Sequence, residues 1–174
     1  RPCNRAANFS AACMALRDRR ITIPGIVNGL RTYRGLPHRI EFVRDLDGIS
    51  WYNDSKATNP HAACVGIRSF AGRPLVLLAG GYEKNLDLAD MAAAIAERCT
   101  SVILFGASAA RMKREFPSSV PTSVVPDMKA AVSLARQTAP DNGVVLLSPG
   151  ASSFDQFQSF EDRGDRFRAM VMEL

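Results

Sequence analysis

Val144-Val145-Leu146-Leu147-Ser148-Pro149-Gly150-Ala151-Ser152-Ser153 is the stretch that decides the fold. Its first four residues are wholly apolar, the pattern of a short strand buried on both faces of a parallel sheet. A hydroxyl- and glycine-rich run follows and leads through Phe154-Asp155-Gln156-Phe157 to Phe160-Glu161-Asp162-Arg163-Gly164, where a last helix is expected. In open α/β sheets such a strand-to-helix loop is where ligands sit, because free backbone N–H groups and the helix N-terminus favour an anion. Ser153 offers its hydroxyl to a carboxylate there, and N–H groups in the following turn add donors. The loop reads as a binder and not as a nucleophile, since the chain has no GxSxG elbow and neither His38 nor His61 is placed as an obvious base. Gly106-Ala107-Ser108 also fails the elbow pattern and reads as a strand end followed by a helix N-cap.

Upstream the same grammar repeats. Apolar strands are expected over 75–79, 102–105 and 123–125, and helices near 60–70 and over 87–98, 108–115 and 127–138. Strands at 40–43 and 49–52 flank Asp47-Gly48, a strong hairpin signal. Strands alternating with helices of this length imply right-handed crossovers. The expected fold is therefore an α/β, Rossmann-like, mostly parallel six-stranded sheet with helices on both faces. Gly35-Leu36-Pro37 breaks the chain and sets a domain boundary, with residues 37–174 as the sheet domain. Residues 1–36 read as a helical remnant: an alanine-rich helix over 4–17, then a second helix opening at Thr22-Ile23-Pro24 with proline in its first turn.

Composition narrows the function classes. Hydrophobic content of 47% is that of a globular domain, and no apolar run approaches the roughly 20 residues that span a bilayer. The net charge of +5 allows an anionic partner, but the basic residues are scattered and have no aromatic interleaving, so small anions fit better than nucleic acid. Cys3, Cys13, Cys64 and Cys99 form no CxxC pair and read as isolated reduced thiols of a cytoplasmic protein. The start at Arg1-Pro2-Cys3 has no signal-peptide core, and its lack of methionine suggests part of something longer.

Three more places could carry chemistry. His38-Arg39 follows the Gly-Leu-Pro break, where an arginine can meet a phosphate; the alternative is a packed histidine and a solvated arginine. Asn53-Asp54-Ser55-Lys56-Ala57-Thr58-Asn59-Pro60 follows the second hairpin strand. There Asp54 suits ribose hydroxyls, Lys56 a phosphate, and Thr58 a carboxylate or a cap; the alternative is a plain cap cluster with Asn59 as N-cap before Pro60. Gly80-Gly81-Tyr82-Glu83-Lys84 ends a strand in two glycines and a lysine, yet is neither a P-loop nor GxGxxG. Three of these segments (53–59, 80–84 and 148–153) follow apolar strands and should open on one edge of one sheet. That convergence favours a binding site.

Gly35-Leu36-Pro37-His38-Arg39, Asn53-Asp54-Ser55-Lys56-Ala57-Thr58-Asn59, Gly80-Gly81-x-x-Lys84 and Ser148-Pro149-x-x-Ser152-Ser153-Phe154-Asp155-Gln156-Phe157 together resemble the Mur ligase family, most closely its D-glutamate-adding branch. The family has three domains, and this chain looks like the third plus the last helices of the central ATPase domain. The resemblance implies ATP-dependent joining of D-glutamate to UDP-N-acetylmuramoyl-L-alanine through an acyl phosphate and a tetrahedral intermediate, in peptidoglycan precursor synthesis. It puts Asn4, His38, Arg39, Asp54 and Lys56 near ATP. It puts Thr58, Lys84, Ser153 and the backbone at Phe160 around D-glutamate. It implies a cytoplasmic monomer without nucleic-acid or membrane partners, and it places the P-loop and the Mg2+ ligands in the central domain. These residues alone are therefore expected to be inactive, with no catalytic group of their own. Tyr82-Glu83 depart from the family's usual aspartate and glycine before the lysine.

Two other readings stand beside this one. A family member adding a different amino acid is the first, and the lack of Asp-x-Pro-Arg after Gly80-Gly81 argues against the diaminopimelate or lysine adders. A standalone Rossmann-like module that binds a nucleotide or amino acid is the second; an upstream ATPase domain with Gly-Lys-Ser/Thr would exclude it.

Overall fold

A computed structural model gives the fold and describes Pro24, Gly25, Asn28, residues 35–82 and residues 85–174. The helix expected over 4–17 lies outside the described residues, as does most of the second. The chain divides into two compact units, Arg1–Leu36 and Pro37–Leu174, and the sheet belongs to the second.

Six strands form that sheet: β1 Glu41–Leu46, β2 Ile49–Asn53, β3 Leu75–Gly80, β4 Cys99–Phe105, β5 Thr122–Val124 and β6 Val144–Leu147. Five helices pack on it: α1 Pro60–Arg68, α2 Ala89–Arg98, α3 Ala109–Glu115, α4 Met128–Thr138 and α5 Phe160–Met172. The strand order is β1-β2-β6-β3-β4-β5; β1 and β2 are antiparallel and every other pair is parallel. Asp47 and Gly48 join the hairpin with φ of 52° and 80°, the two left-handed positions that a twist-matched two-residue turn requires.

Alternate residues of β3 feed two cores, as they must when both faces of a sheet are covered. Leu75 and Leu77 pack with Ile67, Met91, Ile95 and Met112 under α1, α2 and α3. Val76 and Leu78 pack with Trp51, Val132, Phe167 and Val171 under α4 and α5.

Two strands run longer than the apolar pattern indicates. β1 continues through Arg44 and Asp45 to Leu46, because the hairpin ladder pairs them with Trp51 and Ser50. β4 starts at Cys99, whose pairing with Leu75 carries the polar Thr100 and Ser101 into the sheet. In both, hydrogen bonding to a neighbour overrides side-chain polarity.

Helix starts follow local chemistry. Asn59 caps α1 by accepting from Ala62 N at 2.9 Å, with Pro60 next in line. Asp127 caps α4 and Ser159 caps α5 in the same way. Ser108 precedes α3 without capping it; its hydroxyl meets Met112 Sδ at 3.6 Å instead. The helix expected from residue 87 begins at Ala89, since Asp87 accepts from Ala89 N and forms a turn. Cys64 and Cys99 are free thiols. Among the described residues no helix is long and apolar enough to cross a membrane.

Candidate functional site

β2, β6 and β3 are neighbours, and their registers set Asn53 beside Leu147 and Leu147 beside Leu78. The loops after them therefore leave the sheet at one level and on one edge. They are tied to one another through the backbone. Asp54 N donates to Leu147 O at 2.7 Å, Gly80 N to Pro149 O at 3.0 Å, and Gly150 N to Ala57 O at 2.9 Å. Tyr82 and Ser152 exchange two backbone bonds of 2.9 Å, an isolated antiparallel bridge. The bridge leaves no room for a side chain at Gly81, whose φ is 138° and whose added Cβ would lie 2.2 Å from Ser152 O.

These loops, with α3 and the start of α5, enclose a pocket of about 400 Å³ lined by Thr58, Tyr82, Leu88, Met112, Ser153 and Phe160 among others. Thr58, Ser153 and Phe160, expected together from sequence, thus face one space. Ser153 is 2% exposed and Thr58 half-buried. Neither hydroxyl makes a hydrogen bond among the described residues, so both are available to a guest. At Phe160 the carbonyl is already taken, accepting from Ser55 Oγ at 2.8 Å. Lys84 lies outside the described residues, as does Asn4.

The residues expected near a nucleotide are arranged differently. Asp54 is buried and accepts from Ser148 Oγ at 2.7 Å and Ile40 N at 3.2 Å. Burial pushes its carboxyl up to about 7, against the opposing pull of those two bonds and of Arg39. His38 is buried too, with Nδ1 3.1 Å from Asn53 Nδ2 and its ring edge-on to Phe160. Arg39 and Lys56 are exposed, and Lys56 Nζ sits 4.9 Å from the centroid of the Phe160 ring. Asp54 and His38 hold the segments that carry these two cations, Asp54 by accepting from Ile40 N and His38 O by accepting from Lys56 N at 3.0 Å. Among the described residues no group of three or more His, Cys, Asp or Glu side chains is placed to hold a metal ion.

The sequence from residue 38 to 150 matches the family model described as Mur ligase, glutamate ligase domain. The chain belongs to the Mur ligase family. It is 39% identical over 167 residues to the UDP-N-acetylmuramoylalanine–D-glutamate ligase of Bdellovibrio bacteriovorus, covering 96% of this chain and 36% of that protein. To the enzyme of the same name from Pseudomonas fluorescens it is 43% identical over 148 residues, covering 83% and 33%. The chain thus spans about a third of the length of these relatives. Among solved structures it is similar to the UDP-N-acetylmuramate-alanine ligase of Thermotoga maritima, with a TM-score of 0.70 at 13% identity over 99% of this chain and 39% of that one. At that identity the likeness speaks for the fold alone.

Within this Mur ligase domain one buried group carries no role in the sequence reading. Arg163 is 0% exposed and donates from Nε to Ser55 Oγ at 2.9 Å, from Nη2 to Ser55 O at 2.9 Å and from Nη1 to Ala151 O at 3.1 Å. Burial lowers its pKa to about 10, so it stays charged at neutral pH. A signal for it exists in the sequence: residues 163, 167 and 171 recur at helical spacing, and Phe167 and Val171 form the buried stripe of α5. An arginine standing in an apolar stripe must be satisfied inside. Gly164 beside it marks a close approach, since a Cβ there would lie 2.2 Å from His38 Nδ1.

Proposed function

We propose that this chain is the amino-acid-receiving part of an ATP-dependent ligase that joins D-glutamate to UDP-N-acetylmuramoyl-L-alanine in peptidoglycan precursor synthesis. The observation that carries the reading is the pocket itself. It gathers Thr58, Ser153 and Phe160 from loops far apart in sequence, and it leaves two hydroxyls uncommitted. A dicarboxylic amino acid needs such neutral donors together with a cation, the part assigned to Lys84. The curated relatives, named as D-glutamate ligases, support the same reading.

In the reaction, ATP phosphorylates the carboxylate of UDP-N-acetylmuramoyl-L-alanine. The D-glutamate amine then attacks the acyl phosphate, and phosphate leaves as the tetrahedral intermediate collapses to the amide. This chain's share is to orient the amine and to present Arg39 and Lys56 to the nucleotide, with His38, Asp54 and Asn4 in support. Phosphoryl transfer needs a phosphate-cradling loop and magnesium. The 174 residues contain no Gly-Lys-Ser/Thr, so residues 1–36 are assigned to the edge of a central ATPase domain that carries these groups.

An amide NMR titration with D-glutamate, with L-glutamate as control, tests the reading. Shifts for the D-isomer alone, centred on Thr58, Ser153 and Phe160, are expected at millimolar ligand. Equal responses to both isomers, or shifts only outside the pocket, would overturn it.

A further inference from the structure

Arg163 is among the largest fully buried side chains of the molecule, and its surroundings are unusual for a cation. Every group it donates to is a neutral oxygen: one hydroxyl and two backbone carbonyls. The anion that acts on it, Asp155, does so through space. A buried charge held only by neutral acceptors is tolerated where those acceptors are themselves rigidly placed.

The acceptors belong to two of the three strand-end loops, and the third runs close by the same guanidinium. Ser55 lies in the loop after β2 and Ala151 in the loop after β6, while a Cβ on Gly81, after β3, would come within 3.1 Å of Arg163 Nη1. Each contact is one step from a pocket wall. Ser55 Oγ passes the constraint on by donating to Phe160 O; Ala57, two residues later, accepts from Gly150 N. Ala151 adjoins Ser152, which is bridged to Tyr82, and Ser153. The planar fork fixes the direction of every donor at once, which a single ammonium cannot do.

We propose that Arg163 is a positioning residue that locks the three loops around the pocket, so that Thr58, Ser153 and Phe160 stand in place before a ligand arrives. The proposal rests on the reading of that pocket as a D-glutamate site. A preformed wall spares the ligand the ordering of three loops on binding.

Arg163→Lys separates geometry from charge, because it keeps the cation and loses the fork. In this chain the variant should weaken D-glutamate binding, read by amide shift titration, by about tenfold or more. It should also speed amide exchange at Gly150, Tyr82 and Ser152, whose bonds tie the loops, while the exchange of β3 and β4 stays as in the parent. Parent-like affinity together with parent-like exchange at those three amides would overturn the proposal, since charge alone would then suffice. If Arg163→Lys does not fold, Ser55→Ala takes its place, removing the hydroxyl between Arg163 and Phe160; faster exchange at the three amides supports the lock, and unchanged exchange overturns it. A parent protein that ignores D-glutamate defeats the functional reading, while the exchange comparison still decides whether Arg163 locks the loops.

Discussion

Asp54 and Arg163 lie beneath the same strand ends, both buried, one an acid and the other a base, and among the described residues neither has a charged partner within hydrogen-bond reach. Asp54 is held by neutral donors on Ser148 and Ile40; Arg163 is held by neutral acceptors on Ser55 and Ala151. Burial opposes the charged form in each, lifting Asp54 to about 7 and lowering Arg163 to about 10. The outcome at neutral pH is asymmetric. Arg163 stays fully charged under the pocket, whereas Asp54 sits near its midpoint under the loops that carry Arg39 and Lys56. The guanidinium is a fixed structural charge, and the carboxyl is one that gives up its charge readily. Five substitutions test that contrast.

Removing the fixed charge should have the largest effect. Arg163→Met keeps most of the side-chain volume but takes the donor from two interior carbonyls, Ser55 O and Ala151 O, and leaves the Ser55 hydroxyl only its bond to Phe160 O. A loss of about 3 kcal/mol or more is expected in denaturant unfolding. Stability equal to the parent would mean that water or loop movement satisfies those oxygens, and the rigid half of the comparison would break.

The titrating half has a sign that can be worked out. Asp54 has a pKa near 7 when folded and near 3.8 as its ordinary value, so between them the folded state binds the extra proton. Its contribution to stability is therefore largest below about pH 4 and is lost as pH rises through 7, by roughly 4 kcal/mol at most. Asp54→Asn can still accept from Ile40 N while its amide donates to Ser148 Oγ, and it does not titrate. The parent-minus-variant difference in unfolding free energy should fall steadily from pH 4 to 7.5. A flat difference would show that Asp54 is charged throughout. Arg163 shows no such slope there, because its folded pKa lies well above this range.

The contrast also explains what could be read in the sequence. The hairpin at Asp47-Gly48, the alternation of apolar runs with helical segments, and the Asn59-Pro60 cap are local signals, and local signals survive without neighbours. The shared position of Thr58 and Ser153 was legible too, because parallel strands that all end in polar loops must open on one edge. The internal use of Asp54 was not. A carboxylate in a strand-end loop looks free until the register sets Asn53 beside Leu147 and brings Ser148 to Asp54. Arg163 was further out of reach, since its meaning depends on residues 55, 81 and 151 meeting at one point. Tyr82 was visible as a departure from the family pattern, but its bridge to Ser152 exists only once the sheet is assembled.

Two buried serines sharpen the distinction between framework and site. Ser55 is fully committed inside, to Arg163 and to Phe160 O, while the Ser153 hydroxyl is uncommitted toward the pocket. Ser153→Ala should therefore leave unfolding stability within about 0.5 kcal/mol of the parent. It should weaken D-glutamate binding by about 1–3 kcal/mol, about five- to 150-fold in a shift titration. Ser55→Ala should do the reverse in proportion, lowering stability first. If Ser153→Ala destabilises the fold and spares the affinity, the hydroxyl belongs to the framework.

The smallest effect is expected at Lys56, which stands between the two regions. Its ammonium lies over the Phe160 ring, which stands nearly perpendicular to the His38 ring, so it sits where the pocket wall meets His38. At an exposed site that contact contributes about 0.5–1 kcal/mol, and Lys56→Met should lower stability by no more. The same substitution should cost affinity for ATP in the full-length enzyme if Lys56 meets a phosphate, while D-glutamate affinity moves little. A larger loss for D-glutamate than for ATP would place the ammonium on the amino-acid side of Phe160 and join the two regions into one site.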